Sequence, residues 1–184
     1  MHLDTPHASL NGVTGDVSVL VVPPNPLWAT EYQLHERQIR AALRDSICLL
    51  EHIGSTAVPG LAAKPIIDIL LVVEEPKDED SYVPPLSRAG YRLHRREPEL
   101  DEHRLLKGVA PDANVHIFPP SSREVQRYLR FRDRLRRDVV ARLAYEQEKL
   151  RLASMLWPST NHYADAKSEI VERLLSETDG SNSV

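Results

Sequence analysis

The chain has 184 residues, 41% hydrophobic and 27% charged, with a formal net charge of −4. That apolar share is enough for a packed core and excludes global disorder, and the length fits one domain or a compact domain with a helical extension. The mild acidity, with a pI near 6.1, excludes a general attraction to nucleic acid or acidic membranes. The single cysteine, Cys48, excludes an intramolecular disulfide, and in the apolar run 47–50 it reads as a small buried hydrophobe. No apolar run is long enough to cross a bilayer, and the start lacks the basic-then-apolar pattern of a secretory signal, so a cytoplasmic protein is expected.

In chain order, residues 1–16 read as a loose tail and 17–22, β-branched and apolar, as a strand stopped by Pro23, Pro24 and Pro26. The spacing of apolar residues predicts an amphipathic helix over 27–43. A strand is expected over 47–53, a short helix over 59–63, and over 65–73 a central strand buried on both faces. A helix over 80–89 is weakened by Pro84 and Pro85; strands follow at 91–95, 103–107 and 115–118. Residues 122–156, rich in Arg, Leu, Ala and Glu and free of Pro and Gly, have helical composition, with Ser121 or Ser122 as N-cap. Pro158 breaks that stretch, a last helix is expected over 161–177, and 179–184 reads as a second tail. The whole is an α/β (α+β) mixed sheet to about residue 120 followed by a helical portion, 17–178 forming one domain.

The most informative stretch is 51–70: a buried strand, a turn at Gly54-Ser55, then a second apolar strand carrying Asp68. Free N–H groups at such a turn can hold a phosphate, and a strand carboxylate can hold the magnesium that travels with it. A charge among Ile66, Ile67, Ile69 and Leu70 costs several kcal/mol unless paired or metal-bound; a structural ion pair with Lys64 or an arginine of the helical portion is the plainer alternative. His116 alternates with Val115 and Ile117, so a place beside Asp68, as metal ligand or general base, stands about level with a hydrogen-bonded core histidine. Adjacent strand residues point opposite ways, so Glu51 and His52 cannot both face one cleft, and His52 reads as stabilising the turn. Lys64, Arg104 and Lys107 can neutralise phosphate charge; Arg104 and Lys107 fall on opposite faces of a strand, Lys107 being the inward choice. The arginines at 123, 127, 130, 132, 134, 136 and 137 are interleaved with acids and lack an aromatic series, which favours a solvated helix face over nucleic-acid binding.

The run from His52 to Ile69 (HIGSTAVPGLAAKPIIDI), with Pro26-Leu27-Trp28, Asn114-Val115-His116-Ile117, Phe131-Arg132-Asp133, Tyr145 with Lys149 and Tyr163 with Lys167, resembles the GrpB-like family, a branch of the DNA polymerase beta-type nucleotidyltransferase superfamily. The resemblance runs over about 21–175; no kinase P-loop is present, so the chain is similar to the stand-alone form. It implies a nucleotidyltransferase-like mixed sheet flanked by helices and an enzyme dependent on magnesium and a nucleoside triphosphate, most simply ATP. Such an enzyme transfers a nucleotidyl group to a small molecule or, as a ligase, activates an acid as its adenylate. The resemblance places Gly54 and Ser55 on the phosphates and supports Tyr145, Lys149, Tyr163 and Lys167 there; the residues themselves add Thr56 and Lys107 to the phosphate site, Asp68, His116 and Lys64 as catalytic candidates, and Asp68 and His116 as metal candidates. The sequence departs from the superfamily pattern in one respect: two carboxylates two residues apart are expected on the strand after Gly-Ser, and here Asp68 stands between Ile66 and Leu70, with His116 where a third carboxylate is expected. A degenerate module that senses a nucleotide or a coenzyme A-like ligand is the alternative.

Overall fold

A computed structural model describes residues 17–179. The tail expected over 1–16 lies outside them, as does all but the first residue of that expected over 179–184. Helix α1 (Leu27–Leu43) buries Trp28, His35, Ile39 and Leu43 along one side, and its start is held by the Asn25 side chain, which accepts from Leu27 N at 3.0 Å. A sheet of five strands follows: β1 (Leu49–Ile53), β2 (Ile67–Val72), β3 (Arg92–Glu97), β4 (His103–Val109) and β5 (Asp112–Phe118), in the order β1-β2-β5-β4-β3. The β2–β5 pair is parallel and the other three are antiparallel. Helices α2 (Glu79–Arg88), α3 (Arg123–Arg137), α4 (Val139–Ala153) and α5 (Thr160–Asp179) complete the described chain.

Alternation along the strands divides the core into two layers. Ile67, Ile69, Leu71, Val115 and Ile117 pack with Trp28, Ile39, Leu43, Tyr82 and Leu86 of α1 and α2. Ile53, Leu70, Val72 and Phe118 face the other way, against Tyr128, Phe131, Tyr145 and Ile170 of α3, α4 and α5. Every residue of β2 is buried, as a central strand covered on both faces requires.

Four expectations need correction. Residues 17–22 form no strand; they contribute two isolated bridges, Val17 to Trp157 and Val22 to Ala63, because Pro23 and Pro24 leave no room for a ladder. The short helical turn after β1 lies at Ser55–Ala57 and not at 59–63. Cys48 is exposed, with Sγ 3.3 Å from Glu74 Oε1, although its N–H donates to Val72 O of β2 at 2.9 Å. The helical stretch is divided at Asp138, whose backbone is extended and whose side chain accepts from Val140 N and Ala141 N to cap α4. Helix α2, in contrast, forms despite Pro84 and Pro85. The two missing N–H groups would have bonded Asp80 and Ser81 carbonyls in an exposed first turn, while buried Tyr82 and Leu86 dock the helix, Tyr82 donating to Pro76 O at 2.6 Å.

Candidate functional site

Register sets the site. Ile53, the last residue of β1, pairs with Asp68, so the Gly54 turn passes directly over that carboxylate. Gly54 has φ +69°, and a Cβ there would lie 2.5 Å from Asp68 Oδ2; only glycine allows so close an approach. Across the parallel pair Asp68 lies opposite Asn114, and Leu70 opposite His116. Asn114 Nδ2 donates to Asp68 Oδ1 at 3.0 Å. The acid therefore sits under the turn.

Ser55, Thr56, Lys64, Asp68, Asn114, Lys149 and Tyr163, with Val21 and Ile66, line a cavity of about 10 Å³, roughly what one water needs. Lys149, buried, donates to Ser55 Oγ at 2.9 Å and to Ala62 O at 2.6 Å, and its ammonium lies 4.8 Å from the Tyr145 ring centre. Lys64 and Lys167 each lie 4.7 Å from the centre of the Tyr163 ring. Both Tyr-Lys pairs thus share a helix face, as their four-residue spacing requires. Tyr145 itself packs edge-on against Phe131 in the core. Lys107 is half-buried on the site face of β4, opposite Asn114, and does not line the cavity; burial lowers its pKa. Arg104 faces the other layer, where it donates to Glu79 Oε1 at 2.7 Å.

The turn is braced from below. Thr56 donates to Ile66 O at 3.3 Å, and its hydroxyl lies 3.0 Å from His52 Nε2. His52 stacks on Tyr32 with ring centres 4.7 Å apart; burial, helped by Arg136 and Arg132, pushes its pKa down to about 3. Arg132 donates to Glu51 Oε2 at 2.7 Å and to His52 O at 3.0 Å, and Arg136 donates to Ala57 O at 3.0 Å. These two arginines tie α3 to β1 and the turn.

His116 is fully buried, with Nε2 3.8 Å from Asp68 Oδ1. Its Nδ1 lies 3.2 Å from His103 Nε2, and His103 Nδ1 lies 2.7 Å from Glu97 Oε2. Sequence reasoning missed His103, Glu97 and the role of Asn114. Nothing in their spacing marks them; they meet only because β3, β4 and β5 pair in this register. Asp68 and His116, the pair expected to hold metal, are together, yet among the described residues no group of three or more His, Cys, Asp or Glu side chains is placed to hold a metal ion. Asp68 Oδ1 already accepts from Asn114, and two ammonium groups line the same cavity. The donor set suits an anion rather than a cation, and Asp68 and His116 are not assigned as metal ligands.

Comparison with known proteins places the chain among relatives. The profile of a family described as GrpB protein matches residues 18–177. A UPF0157 protein of Halalkalibacterium halodurans is 44% identical over 160 residues, 87% of this chain and 82% of that protein. A dephospho-CoA kinase of Mycolicibacterium paratuberculosis is 36% identical over 102 residues, 54% of this chain and 23% of that enzyme. Among solved structures, the conserved protein GrpB from Enterococcus faecalis superimposes with a TM-score of 0.73 at 32% identity, over 86% of this chain and 99% of that one.

Proposed function

Because the chain belongs to the GrpB family, we propose that it handles a nucleotide at the Gly54-Ser55 turn and acts as a nucleoside-triphosphate-dependent transferase, most simply a nucleotidyltransferase using ATP on a small-molecule acceptor. The supporting observation is the meeting of Ser55, Lys64 and Lys149 with Asp68 in one cavity: cations for phosphate charge beside an acid for the reacting group. Lys149 exchanges Ser55 and Ala62 for phosphate oxygens, and Lys64 and Lys167 add positive charge from the Tyr163 side. At about 10 Å³ the cavity is closed to a triphosphate, so binding moves its outer walls, Val21 and Tyr163, away from the turn. Magnesium would enter on the ligand's own phosphates and supply charge neutralisation there. Activation of an acid as its adenylate would use the same cradle.

The second reading is a module that binds a nucleotide or a coenzyme A-like ligand without turnover. The lone carboxylate and the closed cavity favour it. Calorimetry with ATP and GTP, with and without magnesium, followed by pyrophosphate release across a panel of alcohols, amines and acids, separates the two. Binding with release supports the transferase, and binding alone supports the module. Absence of binding by either nucleotide at millimolar concentration sinks the transferase, and absence of binding by coenzyme A as well sinks the module. Lys149→Met is expected to weaken binding about tenfold or more, the loss of one charge-assisted contact to phosphate.

A further inference from the structure

Glu97, His103, His116 and Asp68 form a line through the sheet from β3 to β2. The three contacts along it are 2.7 Å, 3.2 Å and 3.8 Å. With both end carboxylates ionised and both imidazoles neutral, the carboxylates only accept and each imidazole brings one hydrogen. Two hydrogens satisfy two contacts, and the first two are of hydrogen-bond length. The third is not, and His116 Nε2, buried, has no hydrogen-bond partner. The assignment is then forced: His103 donates from Nδ1 to Glu97, His116 donates from Nδ1 to His103 Nε2, and His116 Nε2 turns a bare lone pair toward Asp68.

We propose that Glu97 and His103 are positioning residues that fix this tautomer of His116, and that the Asp68–His116 gap is where the site receives the proton of its acceptor substrate. The surroundings agree. The His103 pair holds the Glu97 carboxyl down at about 2, and burial holds His103 down at about 4, so at neutral pH one is an anion and the other a neutral donor. Arg95 lies 3.3 Å from the other Glu97 oxygen, Tyr128 of α3 faces the His116 ring at 5.5 Å, and Phe118 stacks on His103 at 4.5 Å. His103 is thereby held as a flat spacer between Glu97 and His116.

The source of the proton rests on the transferase reading; the tautomer does not. In that reaction the O–H (or N–H) bond of the acceptor breaks and its proton enters the gap, shared by Asp68 and His116 Nε2. The freed atom bonds the α-phosphorus as the bond to pyrophosphate breaks, and pyrophosphate leaves with the bonding pair. The class of acceptor is thus one with a proton to surrender, an alcohol, amine or acid; a group without one has nothing to put in the gap.

The test is nitrogen-15 NMR of the imidazoles in the ligand-free protein at pH 7. Both His103 and His116 should carry hydrogen on Nδ1, with His116 Nε2 unprotonated. Glu97→Leu should scramble both tautomers, and Glu97→Gln, whose carbonyl still accepts from Nδ1–H, should restore them. Asp68→Asn, which offers an amide hydrogen to the gap, should move the His116 Nε2 resonance with little change at His103, and it serves equally if Glu97→Leu does not fold. His116 found as the Nε2–H tautomer, or a pattern indifferent to Glu97→Leu, overturns the proposal; so does a shift of His116 Nε2 on adding magnesium alone. Failure of ATP to bind would remove the transferase reading and leave the tautomer standing.

Discussion

At the scale of single residues, the closest constraint is Gly54. Its φ of +69° and the Asp68 oxygen 2.5 Å from where a Cβ would stand act together. Gly54→Ala should cost the roughly 1–2 kcal/mol of left-handed backbone and about 1–3 kcal/mol more for the overlap with Asp68 in urea unfolding, and displace Asp68, so nucleotide binding is lost even in the folded fraction. Gly60 is the control: its φ is +78° with nothing within 4 Å of a built Cβ, so Gly60→Ala should cost only the roughly 1–2 kcal/mol of left-handed backbone and leave the site intact. Equal costs at both positions would remove the argument for contact. Much of this site was legible in the sequence. Gly54, Ser55 and Asp68 announce themselves because a charge in an apolar strand beside a glycine turn has few bland explanations, and Tyr163 with Lys167 follows from helical spacing. Glu97 and His103 do not, because an imidazole chain is assembled by strand register, which no local pattern encodes.

At the scale of elements, the sheet and α1 follow from periodicity alone: α1 (Leu27–Leu43) coincides with the apolar spacing over 27–43. Two elements do not follow. Composition gives no reason to break the helix at Asp138, since no Pro or Gly is present; the break is a competition in which an aspartate side chain caps two N–H groups at 2.9 and 3.0 Å better than the continuing helix would. Asp138→Ala should lower Tm by a few degrees and reduce far-UV helical signal; an unchanged Tm would show that packing alone sets the break. Residues 17–22 have strand composition but no neighbouring edge that they pair with beyond single bridges, a tertiary fact. In β2, Leu70 is fully buried two residues beyond Asp68, and Leu70→Ala should destabilise by about 2–5 kcal/mol, read as a shift in the denaturant midpoint.

At the scale of the whole molecule, acid is the sharpest probe. His52 and His103 are held neutral by burial, with pKa values pushed down from 6.5 to about 3 and about 4. The unfolded chain binds protons below pH 6.5 that the folded chain refuses, so stability falls as pH drops from 6.5 toward 4, by an amount on the order of 3 kcal/mol for each histidine. The Glu97 contribution is whole above its ordinary value of 4.5 and is lost progressively as pH falls from there through about 2. Urea midpoints at pH 7, 5.5 and 4.5 should therefore descend, and a flat series would show that the imidazoles are already protonated or solvated. The two faces of the sheet carry different duties, and the shared register of β2 and β5 turns that division into simple arithmetic. On both strands the even numbers, 68, 70, 72 and 114, 116, 118, look toward the cavity and α3–α5, and the odd numbers look toward α1 and α2. A saturation library over these two strands should sort by parity: odd positions punish polar residues through protein yield alone, and the even positions 68, 114 and 116 accept variants that still accumulate but have lost their ligand.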